Sequence, residues 1–241
     1  MKIYTALQKG KQHKNFCEDF LLTLQVSEDL FIGAVSDGCS SGRDAHLASA
    51  ITCKLIRKIV ADQRVCEDLN PEQIGDLILT QFIDELKKVK FQLQLETEEL
   101  LATLMLLIVN KKHNQAYIAS LGDGAISFDG SIYQIDQDNM PDYPAYHLND
   151  NEQSLQNYLY QNTFNIENPS QISIATDGVF TFRYQRVSDN EIDFSYTDYL
   201  LKDEAFAEYD NMLTRKIFTL KSQHHVEPAD DVAIIRLVIR Q

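Results

Sequence analysis

Three apolar, strand-like runs in this chain end in Asp-Gly: FIGAVSDG at Asp37-Gly38, AYIASLGDG at Asp123-Gly124 and ISIATDG at Asp177-Gly178. A further acidic pair, Asp230-Asp231, stands immediately before the run VAIIRLVI. A carboxylate at a strand end projects beyond the sheet, where several such groups can converge. Like charges gather there only if they are protonated or neutralised by a cation. Hard oxygen donors favour Mg2+ or Mn2+. Asp-Gly is also a common two-residue hairpin turn, and the residues after each pair separate the two meanings. Asp123-Gly124 runs straight into AISFDG, another strand pattern, so a turn accounts for it. Asp37-Gly38 leads into CSSGRDAHLAS, polar and then helical, which no two-residue hairpin explains. Asp177-Gly178 precedes VFTF and fits both readings.

The elements that must position these groups are read from periodicity. Strands are expected at Ile3–Leu7, Phe20–Val26 and Leu30–Val35, separated by short polar breaks. Two helical stripes come next. The first runs through Ala45, Ala48, Ile51, Leu55, Ile59 and Ala61; the second through Ile74, Leu77, Ile78, Phe82, Leu86 and Val89. Asn70 as N-cap and Pro71 at the first helical position open the second. Strands return at Ala102–Val109, Gln115–Leu121 and Ala125–Phe128, with Asp129-Gly130 as a hairpin turn. Residues 136–170 are polar, carry three of the five prolines and predict a long surface loop containing a short strand. Gln171–Thr176 predicts a strand, Tyr199–Leu220 a helix and Val232–Ile239 a last strand. This order is α+β rather than a βαβ repetition, and two antiparallel sheets covered by helices satisfy it. Only nine glycines, no low-complexity linker and no repeat point to one domain over residues 1–241.

Composition narrows the partners. With 22 Lys+Arg against 36 Asp+Glu the net charge is −14, which argues against sequence-independent binding to nucleic acid or an anionic membrane. A phosphorylated substrate needs local positive charge that the chain as a whole does not supply, and bound cations would. The N-terminus has no apolar stretch of signal-peptide length. The longest apolar run, Leu100–Val109, is about half of the ~20 residues of a membrane-spanning helix. Cys17, Cys39, Cys53 and Cys66 form no CxxC pair and read as reduced thiols of a cytoplasmic protein.

The ordered segments GKQHKNFCEDF, AVSDGCSSGRDAHLAS, LLATLMLLIV, AYIASLGDGAISF, ISIATDGVF and PADDVAIIRLVI resemble the metal-dependent protein phosphatases of the protein phosphatase 2C type, in a divergent bacterial branch, from about residue 8 to 240. The resemblance implies a four-layer αββα sandwich with two Mg2+ or Mn2+ ions in a cleft at one end. It implies that Asp37 bridges both metals, that the Gly38 carbonyl and Asp177 each bind one, and that Asp230 joins Asp177. Glu18 and Asp19 match the family's Glu-Asp pair, which holds the second metal directly or through waters. A dinuclear pair of this kind, ~3.5–4 Å apart, lowers the pKa of a water towards ~7 for in-line attack on a phosphate ester. The implied activity is hydrolysis of phosphoserine or phosphothreonine in proteins, by a monomer whose partners are a phosphorylated protein and a cognate Ser/Thr kinase. The alternative is a catalytically silent relative that binds a phosphoprotein or regulates a kinase.

Three positions depart from the family pattern. The Arg that usually grips the substrate phosphate shortly before the Glu-Asp pair is missing; Lys9, Lys11, His13 and Lys14 stand there, with Lys11 or His13 as substitutes. A Lys grips phosphate less specifically than an Arg fork does. The His that comes after Asp-Gly in some relatives, proposed there as general acid, is Cys39, which leaves that role to His13 or a water; Cys39 itself reads as a packing residue. An Asp for a weaker third metal is replaced by Glu96, Glu98 and Glu99, which read as surface glutamates. Asp123 reads as structural, its carboxylate bonding backbone N–H groups of its turn.

Overall fold

In β3 (Leu30–Asp37) alternate residues enter different apolar layers. Leu30, Ile32 and Ala34 pack towards helices α1 (Ala45–Asp62) and α2 (Pro71–Leu93), whereas Phe31 and Val35 face the opposite way. The run after the helices behaves alike: in β4 (Leu104–Asn110), Leu104, Leu106 and Ile108 face the helices and Met105, Leu107 and Val109 the other side. Side chains alternate faces along a strand, so a strand apolar on both faces must be covered on both. The computed structural model, which describes residues 1–63, 65–138, 140–184 and 194–239, shows how.

One antiparallel sheet has the order β2 (Asp19–Gln25), β3, β4, β5 (Gln115–Leu121), β8 (Thr163–Glu167). The other runs β1 (Lys2–Gln8), β12 (Val232–Val238), β9 (Gln171–Ala175), β6 (Gly124–Phe128), β7 (Ser131–Ile135). Phe31, Leu107, Ile118, Ile126, Ile174 and Ile235 interdigitate between the sheets. Helices α1 and α2 cover the first sheet; α4 (Tyr196–Leu201) and α5 (Met212–Gln223) cover the second. The result is the expected αββα sandwich, with a separate ribbon of β10 (Phe182–Tyr184) and β11 (Val226–Pro228).

Local signals hold at α2. The Asn70 side chain accepts a hydrogen bond from Gln73 N–H at 2.9 Å, and Gln73 Oε1 accepts from Asn70 N–H at 3.2 Å, closing a capping box ahead of Pro71. Asn70→Ala is expected to lower stability by about 1 kcal/mol with the fold retained, measured as a shift in urea midpoint. The Asp129-Gly130 hairpin also forms, both residues having positive φ, 50° and 77°.

Three expectations are corrected. The segment 136–170 is not simply a surface loop: it holds a 3₁₀ turn (Pro144–His147) and helix α3 (Glu152–Leu159) as well as β8, and it buries Tyr143, Leu148, Tyr158 and Leu159 against the helix-covered layer. His147 stacks on Tyr158 (3.6 Å between ring centroids) and reaches Asp142 and Asp150 at 2.8 and 2.7 Å, so side-chain contacts order a segment with little periodicity. The helix expected over Tyr199–Leu220 is two, α4 and α5. Buried Lys216 of α5 donates to Tyr199 O, and buried Arg236 of β12 donates to Leu200 O at 3.3 Å, ending α4 by capping its last carbonyls. Finally, Asp123-Gly124 is a turn but not a hairpin: β5 and β6 lie in different sheets, so the chain crosses the sandwich there.

Candidate metal centre

The strand ends gather at one end of the sandwich. β2 opens on Asp19 and β3 closes on Asp37, and the antiparallel register sets the two opposite each other. Asp37 N–H donates to Thr103 Oγ1 at 3.0 Å and Asp37 O accepts from Thr103 N–H at 2.8 Å, so Thr103 fixes the end of β3 through two bonds. Thr176, last residue before Asp177, ties the sheets together. Its hydroxyl donates to Asp19 Oδ2 at 2.6 Å while accepting from Ala233 N–H at 2.9 Å. Asp177 then begins a 3₁₀ turn, Asp177–Phe180, which rules out the hairpin reading.

Two glycines allow this packing. A Cβ on Gly38 would stand 2.1 Å from Ala45 O, and one on Gly178 would stand 1.7 Å from Asp231 O. Backbone therefore meets backbone where any side chain would force the strand ends apart.

The carboxylates act on one another. Burial pushes the Asp37 carboxyl well above its usual range, and the charges of Asp19, Asp177 and Asp230 push further. Asp19 is 2% exposed; burial raises it to about 8 against the Thr176 hydrogen bond, with Asp231 and Asp177 adding to the rise. Asp177 is raised to about 6 by burial, then by Asp123 and Asp230. Asp19 Oδ1 is buried with no donor, and Asp37 can bond Asp19 only by sharing a proton. These are hard oxygen donors with unsatisfied negative charge, the donor set that a divalent cation fits. Among the described residues, no three His, Cys, Asp or Glu side chains already stand in ligating geometry about one point.

His13 closes the rim. Its Nε2 lies 3.5 Å from Glu18 Oε2, 3.6 Å from Asp230 Oδ1 and 3.2 Å from Ser40 Oγ, which donates to Glu18 Oε2 at 2.7 Å. Its Nδ1 is 2.7 Å from Asp231 Oδ2, a charge contact outside hydrogen-bond geometry. Burial alone would lower the imidazole pKa; the contact with Asp231 and the charges of Asp231, Glu18 and Asp230 outweigh it, and the net shift is upward.

Adjacent Asp230 and Asp231 have different surroundings. The Asp230 side chain is 40% exposed beside His13. Asp231 is buried and accepts from Gly10 N–H at Oδ1 (2.6 Å) and from Glu18 N–H at Oδ2, pinning both ends of the loop that carries His13. Asp231→Ala is expected to lower stability by roughly 2–4 kcal/mol, through two orphaned N–H donors and the lost charge contact at His13 Nδ1. Asp231→Asn, which keeps an acceptor, should lose less; a urea titration of the two variants makes the comparison.

The structure thus brings Glu18, Asp19, Asp37, Gly38, Asp177, Asp230 and His13 to one place. Lys11 is not among them: its side chain is two-thirds exposed, with Nζ 3.9 Å from Glu227. Cys39 packs against the helix-covered layer, and its Sγ lies 3.1 Å from Ser41 Oγ. Glu96 and Glu98 are exposed, and Glu99 accepts from Glu96 N–H at 2.8 Å within a 3₁₀ cap. Thr176, Thr103 and Ser40 are invisible to sequence reasoning, because a hydroxyl that positions a carboxylate has no spacing signature.

A sequence model described as protein phosphatase 2C matches residues 9–217. No curated protein sequence matches the chain. Among solved structures, a point mutant of a bacterial serine phosphatase aligns with TM-score 0.67 at 15% identity, over 100% of this chain and 99% of that one. RsbX in complex with magnesium aligns with TM-score 0.56 at 17% identity, over 98% and 94%. The Bacillus subtilis SpoIIE phosphatase domain with a fragment of its regulatory domain aligns with TM-score 0.59 at 14% identity; 99% of this chain is covered, but the chain spans only 63% of that one. Among the described residues, no helix is long and apolar enough to cross a membrane.

Proposed function

We propose that this chain, which belongs to the protein phosphatase 2C family of phosphatases, hydrolyses phosphoserine and phosphothreonine esters in proteins with two bound Mg2+ or Mn2+ ions. One observation carries the reading: carboxylates from distant parts of the sequence meet so closely that burial and mutual charge raise Asp19, Asp37 and Asp177, while Asp19 Oδ1 is buried with no donor. A cation pair removes that repulsion.

Asp37, the Gly38 carbonyl, Glu18, Asp19, Asp177 and Asp230 would hold the ions. When bound, the ions supply the positive field for the phosphate and lower the pKa of the attacking water. The protein's own residues orient the site. Thr176 and Thr103 fix the Asp19 and Asp37 strand ends, and Asp231 fixes the loop of His13. His13, whose imidazolium the surrounding carboxylates favour, would grip the phosphate and give a proton at Nε2 to the leaving oxygen. That assignment supplies the roles that the missing Arg and the Cys39 substitution leave open. The four free cysteines support a reducing, cytoplasmic setting.

Purified protein is expected to hydrolyse p-nitrophenyl phosphate and a phosphothreonine peptide with Mn2+, and to lose both activities in EDTA. Mn2+ binding by calorimetry without turnover of either would favour the silent relative instead.

A further inference from the structure

The loop and strand that lead into the cluster also form a second feature. A groove of about 200 Å3 lies between Lys11-Gln12 on one wall and the β10–β11 ribbon on the other, lined there by Arg183, Tyr184, Glu227 and Pro228-Ala229. Lys11 N–H and Gln12 N–H donate to Pro228 O (3.1 Å) and Ala229 O (3.0 Å), so the two walls are tied together. Each wall enters the cluster at its next residue: Gln12 precedes His13, and Ala229 precedes Asp230.

The charge here runs against that of the whole molecule. Arg183 is exposed and stands opposite Glu227 in the ribbon register. Glu227 has Lys11 at 3.9 Å and Lys221 at 2.5 Å, so the lining sets Lys11 and Arg183 against a single carboxylate that is already ion-paired, on a chain of net charge −14. A segment held in this groove meets net positive charge, whereas most of the surface repels anions.

Resting on the phosphatase reading above, we propose that this groove binds acidic residues of the substrate protein next to its phosphoresidue, with Arg183 and Lys11 as the contacts that select them. An extended peptide advances about 3.3–3.6 Å per residue. With the phosphate at the cluster, which the two walls enter at His13 and Asp230, the groove receives residues within a few positions of the phosphoresidue. Arg183 is not one of the cluster residues and acts as a specificity determinant rather than as part of the chemistry.

The test compares phosphoserine peptides carrying Glu at the flanking positions on either side of the phosphoserine with peptides carrying Gln or Lys there, each kcat/KM divided by that for p-nitrophenyl phosphate, which has no flanking residues. The wild type is expected to favour the Glu peptide over the Gln peptide by about tenfold at low salt, fading as salt rises. Arg183→Glu should abolish or reverse that preference, and the milder Arg183→Gln should reduce it about threefold. Equal turnover of Glu and Gln peptides by the wild type, or an undiminished preference in Arg183→Glu, overturns the proposal. Binding of a fluorescein-labelled Glu peptide, monitored by anisotropy in EDTA, reads the groove without turnover. There Arg183→Glu should weaken the Kd about tenfold, and an unchanged Kd overturns the proposal. An absence of Mn2+-dependent p-nitrophenyl phosphate hydrolysis, by contrast, defeats the phosphatase reading alone.

Discussion

Asp37→Asn is expected to cut Mn2+-dependent hydrolysis of p-nitrophenyl phosphate by roughly 10³-fold or more. A metal-assisted step draws several kcal/mol of transition-state stabilisation from its ions, and each ~1.4 kcal/mol is tenfold in rate. Asp19, Asp177 and Asp230 all act on Asp37; on the proposed reading it would be a ligand of the bound ions, and an amide in its place would give up charge that binds them. Unfolding would not explain such a loss. In the metal-free protein Asp37 is repelled by its neighbours, so the Asn variant should melt at the same temperature as wild type or higher. Calorimetry should show weakened Mn2+ binding by the same variant. Turnover within tenfold of wild type would refute the assignment.

The second large effect is on stability and has a defined sign. Asp19 and Asp177 are raised to about 8 and about 6 from an ordinary carboxylate value, and Asp37 too is held well above its ordinary value. Between pH 4 and 8 the folded, metal-free protein therefore holds more protons than the unfolded chain, and its stability falls as pH rises. His13 acts in the same direction: its raised pKa favours folding below its ordinary value, an advantage lost as pH climbs through the folded one. The metal-free melting temperature is expected to drop by roughly 5 °C or more from pH 5.5 to pH 8, each kcal/mol being about 2–4 °C for a domain of this size. Mn2+ competes with protons for these carboxylates, so it should raise the melting temperature more at pH 8 than at pH 5.5. A flat metal-free profile, or a Mn2+ shift equal at both pH values, would show that the carboxylates do not share one centre.

Both expectations depend on groups whose types are far more legible than their arrangement. The Asp37, Asp177 and Asp230 positions stand out in the sequence because each borders an apolar run, and the Asp37 segment cannot be a hairpin. The strands themselves are equally plain, since LMLLIVN and VAIIRLV are apolar on both faces and must be covered on both. The hydroxyls that hold the carboxylates carry no such sign. Thr176 matters because β9 and β12 bring it to Asp19, 157 positions earlier.

Sheet membership, too, is a long-range property. The pattern around Asp123-Gly124 looks like any hairpin, because a turn and two strands read the same whether the strands pair or part. The pairing of β6 with β9 rather than β5 parts them, and it sets Asp123 where it raises Asp177. Residues 136–170 depart from a simple loop for a related reason: their burial comes from contacts of Tyr143, His147 and Tyr158, not from a period.

Asp230 and Asp231 mark the boundary most sharply. Local sequence determined most strand positions, the Asn70 cap of α2 and the presence of acidic residues at strand ends, because backbone propensity and side-chain alternation act over a few residues. Tertiary structure alone decided that Asp230 opens towards the cluster while Asp231 turns inward to hold Gly10, His13 and Glu18. Neighbours of the same type differ in role because the chain bends at Asp230 before it enters β12, and the groups that Asp231 meets are brought there from more than two hundred residues away.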